Sequence, residues 1–486
     1  MLANDSNLYA AFVSKDSRFD GRFFVGISST GIYCRPVCKA RQPKAENCTF
    51  YSTAAEAEQA GYRPCLLCRP EIAPGTSTVD ATKTLAQRTA RMLEENCGSG
   101  ENLDELAARL GCTDRHLRRV FTAEYNVSPV QYLQTCRLLL AKNLLTDASL
   151  PVLEVAMAAG FGSLRRFNDL FKKHYRLSPT DLRKRMTAEK NHGDKITVSL
   201  GYRPPYGWVQ ILDFLARRAI PGVEVVQNSE YLRTVSLLNA EKKPVHGWIQ
   251  VGHRQEKNAL AVTVSETLLP VLPQVLARVR HLFDLYCEPN VIYEALASMD
   301  AIHPGLRVLG TRLPGCFNPF EMAVRAVLGQ QITVKAASTL AARMVTAFGT
   351  PIDTGVDGLT HIFPSPEDIL ALQGPVREHL GPLGIIGTRA NTIRALAEAF
   401  AQGEIDFSLC ASPEAEMKKL MTIPGIGGWT AQYIAMRAMG WTDAFLETDV
   451  GVKKALAPRT PKEMLAIAEE WRPWRSYATI NLWNSL

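Results

Sequence analysis

Residues 420–431 read Leu420-Met-Thr-Ile-Pro424-Gly425-Ile426-Gly427-Gly428-Trp429-Thr430-Ala431. Upstream, Ser412-Pro413 has the form of an N-cap followed by proline in the first helical turn, and the helix it starts runs through Leu420. A Pro-Gly-x-Gly turn then leads into a second helix, which is a helix-hairpin-helix arrangement. Gly425 and Gly427 let backbone N–H groups approach a phosphate closely, and the second helix adds its positive N-terminal end. An ordinary αα-hairpin has the same outline. Asp449 lies 20 residues past Trp429, in Leu446-Glu-Thr-Asp449-Val-Gly-Val-Lys-Lys. A carboxylate there can serve chemistry or simply cap a helix.

Working outward, the chain is helical in pattern from about Glu288. Phe320 to Val327 leads into Leu328-Gly-Gln-Gln331-Ile-Thr333 and a further helix to Phe348. Before it, Ile196–Leu200, Gly247–Val251 and Leu260–Val264 read as strands, with helices at Trp208–Arg218 and Leu272–Leu285. That segment is α+β and carries no site of its own.

Near the other end stand four cysteines in two pairs. They are Gly31-Ile-Tyr-Cys34-Arg-Pro-Val-Cys38 and Arg63-Pro-Cys65-Leu-Leu-Cys68-Arg-Pro70. A C-x3-C and a C-x2-C pair with 26 residues between them have structural-zinc spacing: four soft thiolates suit tetrahedral Zn2+. On spacing alone the metal could be no more than a staple for a small domain. The other seven cysteines (Cys48, Cys97, Cys112, Cys136, Cys287, Cys316 and Cys410) are scattered singly, which suits reduced thiols in a cytosol.

Between these regions lies a repeat. Leu103–Gly111 is an amphipathic helix stopped by glycine, and Thr113–Glu124 is a second helix burying Leu117, Val120 and Phe121. The same grammar returns at Val152–Gly160 and Ser163–Lys173, with Phe167, Leu170 and Phe171 inward. Phe121 to Phe171 and Pro129 to Pro179 are each 50 residues apart, whereas Gly111 to Gly160 is 49, so the second turn gained one residue. These are two helix-turn-helix units joined by a helix over Gln131–Leu145. Arg115, Arg118 and Arg119 lie off the core face of the first unit, and Arg165, Arg166 and Asn168 off that of the second. They are free to meet bases or phosphates, or to be solvated. Arg183-Lys-Arg185 would touch DNA backbone at most. Residues 71–82 and 186–194 read as linkers.

Charge supports a polyanion partner. Residues 1–200 hold 28 Lys and Arg against 21 Asp and Glu, and 81–190 hold 18 against 12. Residues 201–486 hold 27 of each, so that half must grip phosphate by other means, as a glycine hairpin does. With 46% hydrophobic and 21% charged residues the 486-residue chain has material for about three globular domains. Met1-Leu-Ala-Asn-Asp is no secretion leader, and nothing approaches 18 uninterrupted apolar residues, so a cytoplasmic protein without a membrane partner is expected.

Three resemblances sharpen this reading. Phe23 to Ala40, Arg41, Asn47 to Tyr51 and Ala60-Gly-Tyr-Arg-Pro-Cys65 resemble the N-terminal domain of the Ada adaptive-response proteins over about the first 75 residues. The resemblance implies one Zn2+ held by Cys34, Cys38, Cys65 and Cys68, both structural and activating. Cys34 matches the family's nucleophile, which takes a methyl group irreversibly from a DNA methylphosphotriester, and Thr30, Lys39, Arg41 and Arg63 match its DNA contacts. A zinc keeps its thiolate deprotonated. Four thiolates on Zn2+ carry a net negative charge, so methylating one of them weakens the repulsion of phosphate. Ala156-x3-Gly160-Phe161-x5-Phe167-x3-Phe171-x6-Ser178-Pro179 resembles the AraC-type DNA-binding domain, whose second helices enter the major groove.

From about Ile196 to the end the chain resembles the AlkA-like, type II 3-methyladenine DNA glycosylases. The resemblance is carried by Tyr202-Arg-Pro-Pro-Tyr-x-Trp208, Gly305-Leu-Arg-x4-Arg312-Leu-Pro-Gly315-Cys, Arg325-Ala-x-Leu-Gly329-Gln330, the hairpin with Asp449, and Trp471-Arg-Pro-Trp474-Arg-Ser-Tyr477-Ala. It implies hydrolysis of the N-glycosidic bond of a flipped-out alkylated base. Asp449 is then the catalytic carboxylate, and Trp429, Tyr433 and Trp483 the base pocket. Two departures stand out. Trp429 occupies the place of the lysine that strand-cutting relatives use, so base removal without lyase chemistry is expected. Gln331 occupies the place of the family's apolar wedge, which leaves Gln331, Ile332 or weaker flipping as alternatives. No Pro-Cys-His-Arg occurs, so O6-alkylguanine repair is not expected.

The whole is expected to be a multidomain α+β chain. It has a small zinc domain at 1–75, an all-α double helix-turn-helix at 83–187, an α+β domain at 196–287 and an all-α helix-hairpin-helix glycosylase bundle at 288–486. It would detect methylation of double-stranded DNA, activate repair promoters with RNA polymerase as a partner, and excise damaged bases. One rival is a transcription factor whose C-terminal part only binds DNA. Another is a repair enzyme whose zinc is purely structural.

Overall fold

The computed structural model describes residues 5–15, 23–51, 54–68, 70, 78–98, 102–186, 196–385, 387–407 and 413–486. The readings of residues 71–77 and 187–194 as linkers, of Met1 to Asn4, of Cys410 and of Ser412 as an N-cap lie outside the described residues. The chain forms two compact units, one of residues 1–90 and 103–129, the other of 91–102 and 130–486.

In the first unit, strands Phe24–Ile27, Ile32–Cys34, Cys48–Tyr51 and Arg63–Pro64 form a sheet in the order third, first, second, fourth. Phe23 and Val25 pack on Leu8 and Phe12 of the helix Asp5–Val13 on one side, and Phe24 and Tyr33 on Ala57 on the other. The second and fourth strands run parallel, pairing Ile32 with Arg63 and Tyr33 with Pro64. That register brings the starts of the two cysteine knuckles side by side, and Cys65 N–H donates to Tyr33 C=O at 3.1 Å. Two helices of the first helix-turn-helix, Leu103–Arg109 and Asp114–Tyr125, complete this unit. The helix before them begins at Thr78 and not at Lys83, so the end of the expected first linker is helical.

In the second unit, an antiparallel five-stranded sheet has the order Ile196–Gly201, Ala259–Val264, Pro244–Arg254, Glu230–Leu238, Glu224–Gln227. The three expected strands are present. The last two were not expected, and buried charge is the reason. Arg233 sits within Glu230–Leu238 yet is inward, bonded to Glu321 at 2.6 Å and near Glu224 at 3.7 Å. Arg325 bonds the same two carboxylates at 2.8 and 3.0 Å. Paired charges inside a core hide the apolar alternation by which a strand is read.

The helical half also departs from all-α by a small two-stranded pairing of Thr350–Pro351 with His361–Ile362. Its helices form one core around Phe320, Val324, Leu396 and Ile434. Phe445, Val452, Trp471 and Tyr477 join instead the core of the α+β domain. That second core also takes in Phe167, Phe171 and Val155 of the second helix-turn-helix. The helices of the first helix-turn-helix thus lie in the first compact unit, while the second packs its apolar face on the α+β domain in the second.

His281 and Asp284 carry opposed titrations. Burial, with Arg91 nearby, holds His281 down to about 4. Burial pushes Asp284 up to about 6, against hydrogen bonds from the Leu313 amide and the Tyr477 hydroxyl. A depressed histidine adds stability above its unfolded value, about 6.5, that is lost as pH falls through 4. A raised carboxyl adds stability below 3.8 that is lost as pH rises through 6. The two nearly cancel, each worth at most about 3 kcal/mol. His281→Gln is expected to make the second unit more stable as pH drops from 6.5 to 4, and Asp284→Asn less stable, by urea midpoints at several pH values.

Candidate functional site

The four knuckle cysteines converge: their sulfurs all lie within 4.8 Å of one another, and all four residues are buried. Cys38 and Cys65 sulfurs are 3.9 Å apart. Among the thiols themselves, hydrogen bonds with Cys38 and then Cys68 push Cys34 up, while the same bonds from Cys34 and Cys68 hold Cys38 down to about 3. A divalent cation is what allows four thiolates in so small a volume, and an all-sulfur donor set suits Zn2+. Arg35, which is 1% exposed, was not singled out in the sequence. Its amide donates to Cys68 Sγ at 3.4 Å and its guanidinium to Cys68 C=O at 3.4 Å, placing a buried positive charge against the backbone of the second knuckle. Thr30 lies in the turn before the second strand, Arg63 pairs beside Ile32, and Lys39 and Arg41 follow Cys38 directly. All four are exposed around the knuckles.

The repeat is reproduced down to its caps. Thr113 accepts from His116 N–H at 3.3 Å and Ser163 from Arg166 N–H at 3.4 Å. Asn126 and Arg176 close the two second helices in left-handed conformations. Phe121 stacks on Tyr125 and Phe171 meets Tyr175, both at 4.6 Å. Arg115, Arg118, Arg165 and Arg166 are exposed, as are Arg119 and Asn168. Arg118 is held by Asp114 at 2.7 Å, an exposed pair that a phosphate can outcompete.

In the second unit, helices Pro413–Thr422 and Gly428–Ala438 flank the hairpin. Gly425 has φ of +90°, and a Cβ there would come 2.2 Å from Thr392 Oγ1, which donates to Pro424 C=O at 2.7 Å. Gln330 Nε2 donates to Gly425 C=O at 2.9 Å and to Thr430 Oγ1 at 3.0 Å. A Cβ on Gly427 or Gly428 would meet nothing within 4 Å, so the start of the second helix is open to a ligand. Gly425→Ala is expected to cost about 1–3 kcal/mol through backbone strain and the Thr392 clash. DNA affinity of residues 196–486 should fall about tenfold or more in a direct binding titration.

A cleft of about 1180 Å³ between the two cores collects Gln331, Gly425, Gly427, Trp429, Tyr433, Asp449 and Trp483. These are all the residues singled out for this half. Trp429 stacks on Tyr433 at 5.3 Å and 11°, and Tyr433 faces Trp483 at 6.3 Å. Asp449 caps the helix Val450–Leu456: its Oδ1 accepts from Val452 N–H at 3.0 Å and from the Trp483 indole N–H at 2.8 Å. Its Oδ2 has no hydrogen-bond partner among the described residues. The carboxylate is thus both a cap and a cleft group. Gln331, at φ of +55°, is the exposed tip of the turn between helices Pro319–Leu328 and Val334–Phe348.

Arg218, Arg325 and Gln330 also line the cleft. Arg325 and Gln330 belong to the Arg325-Ala-x-Leu-Gly329-Gln330 motif, though no cleft role was read for them, while Arg218 comes from an element far from the hairpin in sequence and no spacing signal pointed to it. Burial would raise the Tyr433 hydroxyl, but Arg437, Arg218 and Arg325 hold it below its usual range. Arg437 donates to that hydroxyl at 2.9 Å. The cleft wall is therefore electron-rich aromatic surface backed by guanidinium groups. No described helix is long and apolar enough to cross a membrane.

This architecture defines a DNA-damage protein, with a metal-binding domain, helix-turn-helix units and a base-excision fold. Residues 7–71 match the metal-binding domain of Ada, 106–185 a helix-turn-helix domain, 197–318 the AlkA N-terminal domain, and 324–469 the HhH-GPD superfamily of base excision DNA repair proteins. The chain is 36% identical, over 98% of its own length and 96% of the relative's, to the "Probable bifunctional transcriptional activator/DNA repair enzyme AlkA" of Mycobacterium tuberculosis. It belongs to that family of bifunctional transcriptional activator/DNA repair AlkA proteins. It is also 36% identical to DNA-3-methyladenine glycosylase 2 of Escherichia coli, over 59% of this chain and 96% of that one. Its similarity to the bifunctional transcriptional activator/DNA repair enzyme AdaA of Bacillus subtilis is 27% identity over 39% of this chain and 90% of that one.

Proposed function

We propose that this protein captures the methyl group of a DNA methylphosphotriester on Cys34, activates transcription in response, and hydrolyses the N-glycosidic bond of 3-methyladenine and similar bases. The observation that carries the enzymatic half is the cleft, in which the Asp449 carboxylate, with one oxygen unpartnered among the described residues, meets three aromatic rings beside the glycine hairpin.

Base removal follows from these groups. The duplex is held by the hairpin amides at Gly425 and Gly427, and the damaged nucleotide turns into the cleft. Gln331, with Ile332 beside it, fills the gap left in the stack. Trp429 and Tyr433 take the electron-poor base by stacking and cation–π attraction, with Trp483 as the third wall. The C1′–N bond breaks with its electron pair going to the base, which is neutralised as it leaves. Asp449 stabilises the positive sugar while water adds at C1′ and releases its proton. With Trp429 and no lysine at the end of the hairpin, no amine is there to attack the sugar, so the strand is left uncut.

In methyl capture, the Cys34 sulfur attacks the methyl carbon, and the C–O bond breaks with its pair going to the phosphate oxygen. The products are a thioether and an ordinary phosphodiester. Zn2+ bound by Cys34, Cys38, Cys65 and Cys68 would keep the sulfur ionised at neutral pH. Thr30, Lys39, Arg41 and Arg63 ring the acceptor as backbone contacts, and capture removes one negative charge next to them. Tighter DNA binding then lets the faces bearing Arg115, Arg118, Arg165 and Arg166 hold a promoter and recruit RNA polymerase. Two assays test this: base release from methylated duplex DNA, and mass analysis of Cys34 after exposure to methylated DNA.

A further inference from the structure

Gly451 is the second residue of the helix Val450–Leu456 and lines the cleft. Its φ is not positive, so its backbone conformation does not call for glycine. Glycine within a helix costs about 1 kcal/mol relative to alanine. What the position calls for is space. A Cβ on Gly451 would lie 2.9 Å from Trp483 Cδ1, 3.2 Å from Trp483 Nε1 and 3.1 Å from Asp449 Oδ1. The indole edge therefore rests where that methyl group would be. On its other contacts the indole is hemmed in. Its ring stacks on Phe214 at 6.2 Å and 21°, and the Arg218 guanidinium is 5.8 Å from the ring centre. Resting on bare backbone, the indole N–H reaches Asp449 Oδ1 at 2.8 Å. The Val452 amide bonds that same oxygen at 3.0 Å, so two donors hold Oδ1 and none among the described residues holds Oδ2.

We propose that Gly451 is a positioning residue for base removal: the missing side chain lets Trp483 seat against Asp449 and fix the carboxylate with one oxygen uncommitted. Any side chain at 451 drives the indole off the helix and leaves the carboxylate held only by its cap. The inference rests on the reading of Asp449 as the catalytic carboxylate.

The test uses the full-length protein and methylated duplex DNA. Rates of 3-methyladenine release at saturating enzyme are measured for the parent, Gly451→Ala, Trp483→Phe, the double variant and Asp449→Asn, with DNA affinity and thermal midpoint beside them. Gly451→Ala is expected to slow release about tenfold or more, with DNA affinity within about twofold and a midpoint unchanged or raised. Trp483→Phe, which keeps a ring but removes the donor, should slow release comparably. The double variant should be no slower than about threefold below the slower single, because both changes break one contact. Release by Gly451→Ala at the parent rate, a loss confined to DNA affinity, a loss that tracks a fallen midpoint, or multiplying effects in the double variant would each overturn the proposal. Asp449→Asn separates the two readings. If it still releases base, the assignment of the site itself fails. If it is inactive while Gly451→Ala matches the parent, only the role of Gly451 fails.

Discussion

Asp449→Asn is expected to lower base release from methylated DNA by about a thousandfold or more, with the fold intact. Asparagine caps helices about as well as aspartate, so its carbonyl can still accept from the Val452 amide and the Trp483 indole, the two bonds that Asp449 Oδ1 now accepts. Stability should therefore change by less than about 1 kcal/mol. What disappears is the negative charge opposite the sugar as it becomes cationic. Because the aromatic walls and the hairpin are untouched, affinity for DNA should stay near the parent value. The measurement is single-turnover release with binding titrated in parallel. Retained release would favour the rival in which this half only binds DNA.

Cys34→Ser should abolish methyl capture entirely, since serine offers no comparable nucleophile at neutral pH. Three thiolates remain, at Cys38, Cys65 and Cys68, with Arg35 still beside Cys68, so metal content should fall in affinity before it falls in stoichiometry. In the parent, methylated at Cys34, promoter affinity should rise about tenfold at low salt and less at high salt, because one negative charge near the phosphates has been cancelled. The serine variant should show no rise after the same exposure. Mass analysis of the Cys34 peptide together with promoter titrations checks both points. An unmodified Cys34 in every sample would leave the metal as a staple only.

Some residues declared themselves by spacing. The cysteine pairs, the 50-residue echo of Phe121 in Phe171, and Pro424-Gly-Ile-Gly427 are local patterns that need only neighbouring chain to be recognised. The structure brings the first set within 4.8 Å and reproduces the second down to the caps Thr113 and Ser163. Strands Glu224–Gln227 and Glu230–Leu238 stayed hidden because Glu224 and Arg233 are buried as partners of Arg325 and Glu321, and a charge read alone signals a surface. Arg35 carried no signal in the sequence, because an arginine between two cysteines is ordinarily exposed, yet it lies inside against Cys68. Asp449 could be read as a cap or as a catalytic group, and the geometry makes it a cap that also faces the cleft.

The sequence alone determined the kinds of local unit present and their order, the cysteine pairs, the helix-turn-helix repeat and the glycine hairpin, because periodicity and spacing along a chain dictate which local units form, whereas Trp429, Tyr433 and Trp483 were legible only through a family resemblance. Only tertiary structure decided which compact unit each helix-turn-helix joins, that Arg218 and Arg325 back the aromatic pocket, and that Gly451 makes room for Trp483 to reach Asp449. Those are contacts between residues tens to hundreds of positions apart. They exist only once burial has selected one packing among many, and no local pattern records that choice.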